Sequence, residues 1–184
     1  RAPAWSAYWT AKAMDVPFVT TYHGAYSGKT KLKKLYNSVM AQGDIVIANS
    51  NWIAEHVKTE HGVPFERVVT IPRGVDLEAF DPTNVPVARV KAIREALGLA
   101  DDPRKILLLP GRLTEWKGQL IAIEALAMLA SDERDKLVLV LAGDAQGRNA
   151  YVTRLEHAVV AHGLDRGVIM SEHITDMPAA YLAS

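Results

Sequence analysis

The chain of 184 residues is longer than an average domain and short for two complete ones, and its 49% hydrophobic content is sufficient for a real core. Its 21 basic and 21 acidic residues balance, which argues against non-specific nucleic-acid binding, and the absence of cysteine excludes disulfides and thiolate metal sites. No apolar run approaches the roughly 18–20 residues of a membrane span, and the six histidines lack a metal-binding spacing, so we expect a soluble, cytoplasmic protein without a metal.

The first part of the chain alternates between extended and helical patterns. The patterns predict helices over residues 4–14, 31–40 and 51–58, and strands over residues 17–22, 44–48 and 67–71. Asn49, Ser50 and Asn51 offer N-caps for the third helix, and Pro72 with Gly74 ends the third strand.

The second part of the chain repeats this alternation. Helices are predicted over residues 88–97, 119–130 and 149–162 and from Met177 onward, with strands over residues 105–109, 136–142 and 167–170. Because the strands are near-continuous runs of Val, Ile and Leu, they are typical of a parallel sheet covered on both faces. The sequence therefore predicts an α/β fold.

The alternation lapses between residues 78 and 104, where Pro82, Pro86 and Pro103 interrupt the chain. Neither flanking part contains the complete strand set of a Rossmann domain. We therefore predict two partial Rossmann-like domains, residues 1–82 and 105–184, joined by a linker over residues 83–104.

A strand exit in the second predicted domain carries two cations. The strand ends at Gly111, Arg112 stands just beyond it, and Lys117 opens the helix that follows. Such cations, with the unpaired amides of a helix N-terminus, attract a phosphate or diphosphate, and open α/β sheets bind ligands at this position. The alternative is a strand–turn–helix corner whose cations are merely solvated.

Three residues at other strand exits are further candidates. His23 stands where the first strand meets Gly24, a position favoured for ligand contact, although an ordinary loop histidine is the alternative. Gly143 and Asp144 occupy the equivalent exit after residue 142. Glycine permits a close backbone approach, and Asp144 either contacts a ligand or caps the following turn.

A basic cluster, formed by Lys29, Lys31, Lys33 and Lys34, has no acidic residue near it between Gly24 and Gly43. A solvated helix face accounts for the cluster. Attraction to an anionic membrane surface is the alternative, and it would give peripheral association with the inner face of the cell membrane.

Seven short segments, in order, resemble the middle of a family 4 glycosyltransferase. They are residues 21–24 (TYHG), 48–50 (ANS), 71–76 (IPRGVD), 110–113 (PGRL), 117–118 (KG), 142–144 (AGD) and 176–178 (DMP). The family implies the GT-B fold, in which two Rossmann-like domains face a cleft. The resemblance makes residues 1–82 the C-terminal half of the acceptor-side domain and residues 105–184 the N-terminal half of the nucleotide-sugar-binding domain.

The resemblance also implies an activity. It is retaining transfer of a sugar from a nucleotide-diphosphate sugar to an acceptor hydroxyl, with a glycan or lipid-linked acceptor such as lipopolysaccharide or another envelope glycan, and without a cofactor or metal. The implied residues are His23, Arg112 and Lys117 as catalytic groups; Gly111, Arg112 and Lys117 at the donor diphosphate; and His23, Gly24, Gly143 and Asp144 along the donor and sugar cleft.

The chain departs from the family pattern at several points. The family's Gly-rich loop would precede Arg1 and its Glu-x7-Glu motif would follow Ser184, so we expect the 184 residues alone not to transfer sugar. Arg73 and Ala145 stand where many relatives carry Asn and Gly. Two alternatives remain open: a GT-B-fold sugar phosphorylase or epimerase, and a non-catalytic nucleotide- or phosphate-binding module.

Overall fold

The structure, a computed structural model, describes residues 2–25 and 30–184. The chain divides into two compact units, Arg1–Val75 and Asp76–Ser184. Each unit is built on a parallel three-stranded sheet. The prediction of an α/β fold with two parallel sheets is therefore confirmed.

The first unit contains three strands, β1 (Val19–Tyr22), β2 (Ile45–Ala48) and β3 (Val68–Thr70), in the order β1-β2-β3. Val19 of β1 pairs with Ile45 of β2, and Val46 of β2 pairs with Val68 of β3. Its elements are α1 (Ala2–Met14), β1 (Val19–Tyr22), α2 (Lys31–Ser38), β2 (Ile45–Ala48), α3 (Asn51–His61) and β3 (Val68–Thr70), with 3-10 turns at Val39–Ala41 and Phe65–Arg67. Of the three predicted caps of α3, Ser50 performs the role, since its hydroxyl accepts a hydrogen bond from the Ile53 amide.

The second unit contains three strands, β4 (Lys105–Pro110), β5 (Leu137–Ala142) and β6 (Val168–Ser171), in the order β4-β5-β6, so β5 is the central strand. Its elements are α4 (Val87–Ala96), β4 (Lys105–Pro110), α5 (Gln119–Ala127), α6 (Ser131–Arg134), β5 (Leu137–Ala142), α7 (Asn149–Ala161), β6 (Val168–Ser171) and α8 (Met177–Ala183), with 3-10 turns at Pro82–Asn84 and Glu115–Lys117. The helix predicted over residues 119–130 thus ends at Ala127, and the separate short helix α6 follows it.

The central strand β5 is apolar throughout because both faces of the sheet are covered. Leu139 and Leu141 pack into a core with residues of α5 and α7, whereas Val138 and Val140 pack on the opposite face with residues of α4 and α8. These side chains are almost fully buried, and each contributes on the order of 1.5–3 kcal/mol of hydrophobic stabilisation.

The predicted linker is part of the second unit in the structure, and the boundary lies between Val75 and Asp76. Val90 and Ile93 of α4 pack against the core beneath α8, and the Arg94 guanidinium donates to the Ala183 carbonyl at 3.1 Å. The physical reason is that α4 covers apolar sheet surface that would otherwise face water. The prolines of this stretch mark turns rather than a separate connecting segment.

Candidate functional site

The carboxyl ends of β4, β5 and β6 meet at one edge of the second sheet, where a cavity of about 660 Å³ opens. Gly111 and Arg112 line it from the loop after β4, and Gly143 and Asp144 from the loop after β5. The rest of the lining includes His173, Ile174, Met177 and Tyr181. The structure therefore brings four of the predicted site residues together at the edge where open α/β sheets bind ligands.

The exits of β4 and β5 interlock through two glycines. A Cβ on Gly143 would lie only 2.2 Å from the Gly111 carbonyl oxygen and 2.7 Å from its carbonyl carbon. Gly111 itself has a φ of +155°, which residues with side chains rarely adopt. The close backbone approach predicted at Gly143 is present, and its partner is the Gly111 peptide.

The backbone around Arg112 is held by hydrogen bonds from three directions. The Gly111 backbone amide donates to the Ala142 carbonyl at 2.8 Å, and the Leu113 backbone amide donates to the Asp144 backbone carbonyl at 3.1 Å. The side chain of Gln119, which is fully buried, donates from Nε2 to the Arg112 carbonyl at 3.0 Å. The Arg112 side chain therefore starts from a fixed point at the rim of the cavity.

Gln119 was missed by the sequence analysis. The available signal was a polar residue at the first position of α5, a helix whose other residues are apolar except Glu124. Its Oε1 accepts a hydrogen bond from the Tyr151 hydroxyl at 3.3 Å, so both ends of the buried amide have a partner. A buried polar network whose members are all paired is rigid, so the Gln119 amide restrains the Arg112 carbonyl that it contacts.

The guanidinium of Arg112 is exposed, and its Nη1 lies 3.4 Å from Oε1 of Gln146. Within the described part of the chain it makes no ion pair with a carboxylate. The Asp144 carboxylate accepts a hydrogen bond from the backbone amide of Gln146 at 2.6 Å. This contact is the turn-capping role that the sequence left open as an alternative. A long contact to a neutral amide leaves the charge of Arg112 available to an anion.

Lys117 is not part of the cavity lining. Its aliphatic chain lies over Gly111, with Cδ 3.6 Å from the position that a Cβ would take there, but its Nζ lies 4.3 Å from the centroid of the exposed Trp116 ring. The predicted convergence of Arg112 and Lys117 is thus incomplete in this structure, because the ammonium group makes a cation–π contact instead.

His23 and Gly24 belong to the first unit, at the carboxyl edge of its sheet. The Asn49 side chain, which follows β2, donates to the His23 carbonyl at 3.0 Å. Arg73, which follows β3, places its Nη2 at 3.3 Å from His23 Nδ1. Because a guanidinium only donates, this contact is a hydrogen bond in the tautomer that has Nδ1 as the acceptor and the ring hydrogen on Nε2. Gly24 has no atom within 4 Å of the position of an added Cβ.

An ion pair supports the wall of the cavity that α8 forms. The Asp176 carboxylate caps α8 by accepting from the Ala179 amide at 3.2 Å, and it accepts two hydrogen bonds from Arg89 of α4, at 2.8 and 2.6 Å. The Arg89 guanidinium holds the pKa of Asp176 below its ordinary value. Residues that the sequence analysis assigned to a linker therefore hold the helix that carries Met177 and Tyr181.

A larger cavity, of about 710 Å³, lies in the first unit and is lined in part by Lys12, Asp44 and Arg67. Asp44 and Arg67 directly precede β2 and β3, so this cavity lies at the amino edge of the sheet, which is opposite to the usual ligand edge. Within residues 2–25 and 30–184, no three His, Asp or Glu side chains group closely enough to hold a metal ion. None of the helices in those ranges has the length and apolar character needed to cross a membrane.

Comparison with known proteins places the chain in a family. The family described as glycosyl transferases group 1 matches residues 90–184, and Glycosyltransferase Family 4 matches residues 1–79. The chain belongs to the group 1 glycosyl transferases. The resemblance read from the seven segments is confirmed.

Individual relatives agree with this assignment. D-inositol 3-phosphate glycosyltransferase of Xylanimonas cellulosilytica is 30% identical over 79% of the chain and 37% of the relative. A glycosyltransferase structure from Rickettsia africae is 30% identical with a TM-score of 0.81, covering 100% of the chain and 48% of that structure. Anabaena HepE, solved with UDP-glucose, is 23% identical with a TM-score of 0.82, covering 98% and 48%. This group 1 chain thus spans less than half the length of these relatives. The two solved structures confirm the GT-B-like fold class.

Proposed function

We propose that this group 1 protein transfers a sugar, with retention of anomeric configuration, from a nucleotide-diphosphate sugar to an acceptor hydroxyl. The observation that carries the proposal is the available guanidinium of Arg112 at the rim of the cavity beside Gly111. The second unit is the donor side and the first unit is the acceptor side. The UDP-glucose bound to HepE supports a UDP-sugar as the donor.

The two cations stabilise the leaving group. As the glycosidic bond breaks, negative charge grows on the nucleoside diphosphate, and preorganised positive groups lower the barrier. Arg112 offers a planar fork to phosphate oxygens, and Lys117 supplies a point charge on a flexible stem. A cation–π contact at an exposed site is worth only about 0.5–1 kcal/mol, so Lys117 readily leaves Trp116 for a diphosphate. In this proposal no metal ion is needed.

His23 positions the transferred sugar. With its hydrogen on Nε2, the ring donates to a sugar hydroxyl while Nδ1 accepts from Arg73. In a same-face reaction the acceptor hydroxyl gives its proton to the departing phosphate, and His23 does not act as a base. In the first unit, Gly24 leaves room for a sugar beside His23. In the second unit, Gly143 packs on Gly111 and Asp144 caps its turn, and both contacts shape the donor cavity.

We further propose a glycan or lipid-linked envelope acceptor and peripheral attachment to the inner face of the cell membrane through α2. Lys31, Lys33, Leu32 and Leu35 of this helix are all exposed, which combines charge with apolar surface. Lys34 is engaged with Glu60 at 2.8 Å, and Lys29 of the predicted cluster lies outside the described residues. Each lysine near an anionic surface contributes about 1 kcal/mol.

Vesicle sedimentation tests the attachment. The protein should sediment with phosphatidylglycerol vesicles and not with phosphatidylcholine vesicles, and the double change Lys31→Glu and Lys33→Glu should abolish it. Lys91→Glu, at an exposed position of α4, is the matched control and should sediment like the wild type. Equal sedimentation of all three proteins would eliminate the α2 surface as the attachment site.

A product assay on the natural full-length protein tests the reaction. Radiolabelled UDP-sugars with lipopolysaccharide or lipid acceptors should give a glycosylated product, and NMR of the new linkage should show the anomeric configuration of the donor. Product that requires inorganic phosphate would identify a phosphorylase, and conversion of the donor without an acceptor would identify an epimerase. UDP binding with no turnover on any acceptor would identify a non-catalytic module.

A further inference from the structure

We propose that Gln119 is a positioning residue which, together with Tyr151, fixes the orientation of Arg112 toward a diphosphate. The inference rests on the proposed function of the cavity as a diphosphate site. It goes beyond that proposal by explaining why a polar side chain occupies the buried first position of α5.

The orientation of the Gln119 amide is determined by its two partners. The side chain has no exposed surface, its Nε2 donates to the Arg112 carbonyl and its Oε1 accepts from the Tyr151 hydroxyl. Rotating the amide by half a turn would place its oxygen against the Arg112 carbonyl oxygen, and neither of these two acceptors has a hydrogen to donate, although the Tyr151 hydroxyl would accept from the NH₂. A buried polar group that loses its partner is destabilised, so the observed arrangement is strongly preferred.

The Arg112 peptide has little freedom while this contact is present. The Gly111 amide donates to the carbonyl of Ala142 at the end of β5, the Leu113 amide donates to the carbonyl of Asp144 in the loop that follows, and Gly143 packs directly against the Gly111 carbonyl. Gln119 holds the Arg112 carbonyl from the helix side at 3.0 Å, and the Thr114 hydroxyl makes a longer contact of 3.5 Å with the same oxygen. Without the Gln119 bond, the longer Thr114 contact restrains the Arg112 carbonyl less, so the peptide between Arg112 and Leu113 tilts more easily and the guanidinium moves with it.

Fixing the Arg112 guanidinium in advance strengthens the binding of the diphosphate group and does not change the binding of the nucleoside. Gln119→Met keeps a similar volume and removes both hydrogen bonds, so Arg112 must be ordered when UDP binds, and the Kd of UDP should rise by up to about tenfold, the upper scale for immobilising one long side chain. Tyr151→Phe removes only the support of the Gln119 oxygen and should raise it by about threefold. The Kd of uridine, which has no phosphate, should not change with either variant.

The pH profile of a third variant separates positioning from packing. In Gln119→Glu, the introduced carboxyl group donates to the Arg112 carbonyl only when it is protonated, and burial raises the pKa of a carboxyl group. UDP affinity, expressed relative to the wild type at the same pH, should therefore recover as the pH is lowered. A role limited to filling space predicts instead that Gln119→Met, which carries no charge and forms neither hydrogen bond, binds UDP like the wild type at every pH.

The experiment is a set of NMR titrations of the 184-residue chain with UDP and with uridine. Ile123→Val, a small packing change at a fully buried position of the same helix, is the control and should bind UDP like the wild type. If folded Gln119→Met and Tyr151→Phe bind UDP as tightly as the wild type, positioning by Gln119 is wrong and the diphosphate site stands. If the wild type binds UDP no more tightly than uridine, the diphosphate site itself is wrong. Should Gln119→Met not fold, Tyr151→Phe and the pH profile decide the question.

Discussion

Replacing Gly143 by alanine should disturb both the stability of the second unit and its affinity for UDP. The new Cβ would lie 2.2 Å from the Gly111 carbonyl oxygen, about 0.8 Å inside the 3.0 Å that real Cβ atoms keep. Because the atoms it meets are backbone and not the end of a flexible side chain, the turn itself must move. Overpacking of this kind costs about 1–3 kcal/mol.

Differential scanning calorimetry checks the stability, since 1 kcal/mol corresponds to a Tm shift of about 4–8 °C in a domain of this size. The Kd of UDP, measured by isothermal titration, should rise about tenfold because the peptide that carries Arg112 is displaced. Gly167→Ala is the matched control, since a Cβ there would meet its neighbours at ordinary distances of 3.6–3.8 Å. If Gly143→Ala melts and binds like Gly167→Ala, the interlocking of the two strand exits is refuted.

Three further predictions concern the charges. In the natural full-length protein, Arg112→Ala should lower kcat/KM by about 10²–10³, the scale of one lost charge-stabilising donor, and should leave Tm unchanged. A kcat/KM close to that of the wild type would show that Arg112 is an ordinary solvated residue. Sugar transfer should persist in excess EDTA, because side chains neutralise the leaving group, and a loss restored by Mg²⁺ or Mn²⁺ would contradict this. The Arg104 guanidinium lowers the pKa of Asp102 from 3.8 to about 2, so this pair stabilises the fold above pH 3.8 and ceases to do so as the pH falls through about 2. Arg104→Met should therefore have a lower free energy of unfolding than the wild type at neutral pH, and the difference should shrink below about pH 2. An equal difference at neutral pH and below about pH 2 would contradict a stabilising Asp102–Arg104 ion pair.

The sheets were predictable because burial on both faces leaves a simple pattern in the sequence. The run from Leu137 to Ala142 is apolar at every position, and the structure uses alternate residues for the two cores. The strand exits at Gly111 and Gly143 were predictable for the same reason, since a glycine directly after such a run marks the end of the strand. The sequence alone did not reveal that these two glycines pack against each other across the sheet.

The remaining features depend on contacts between distant segments. The prolines around α4 have the composition of a linker, and only the packing of Val90 and Ile93 assigns the helix to the second unit. Lys117 was predicted at the anion site, but its flexible stem allows the ammonium group to lie on Trp116. Gln119 resembles an ordinary helix-start residue until the Arg112 carbonyl and Tyr151 are seen beside it.

The crystal structure of the chain with UDP tests the central claim most directly. We predict that the diphosphate lies in the cavity at the carboxyl ends of β4–β6, with phosphate oxygens at roughly 2.7–3.2 Å from the Arg112 guanidinium. We also expect Lys117 Nζ to have left the Trp116 ring for the same diphosphate. A diphosphate bound elsewhere on the second unit, or a cavity that stays empty at saturating UDP, would contradict the account.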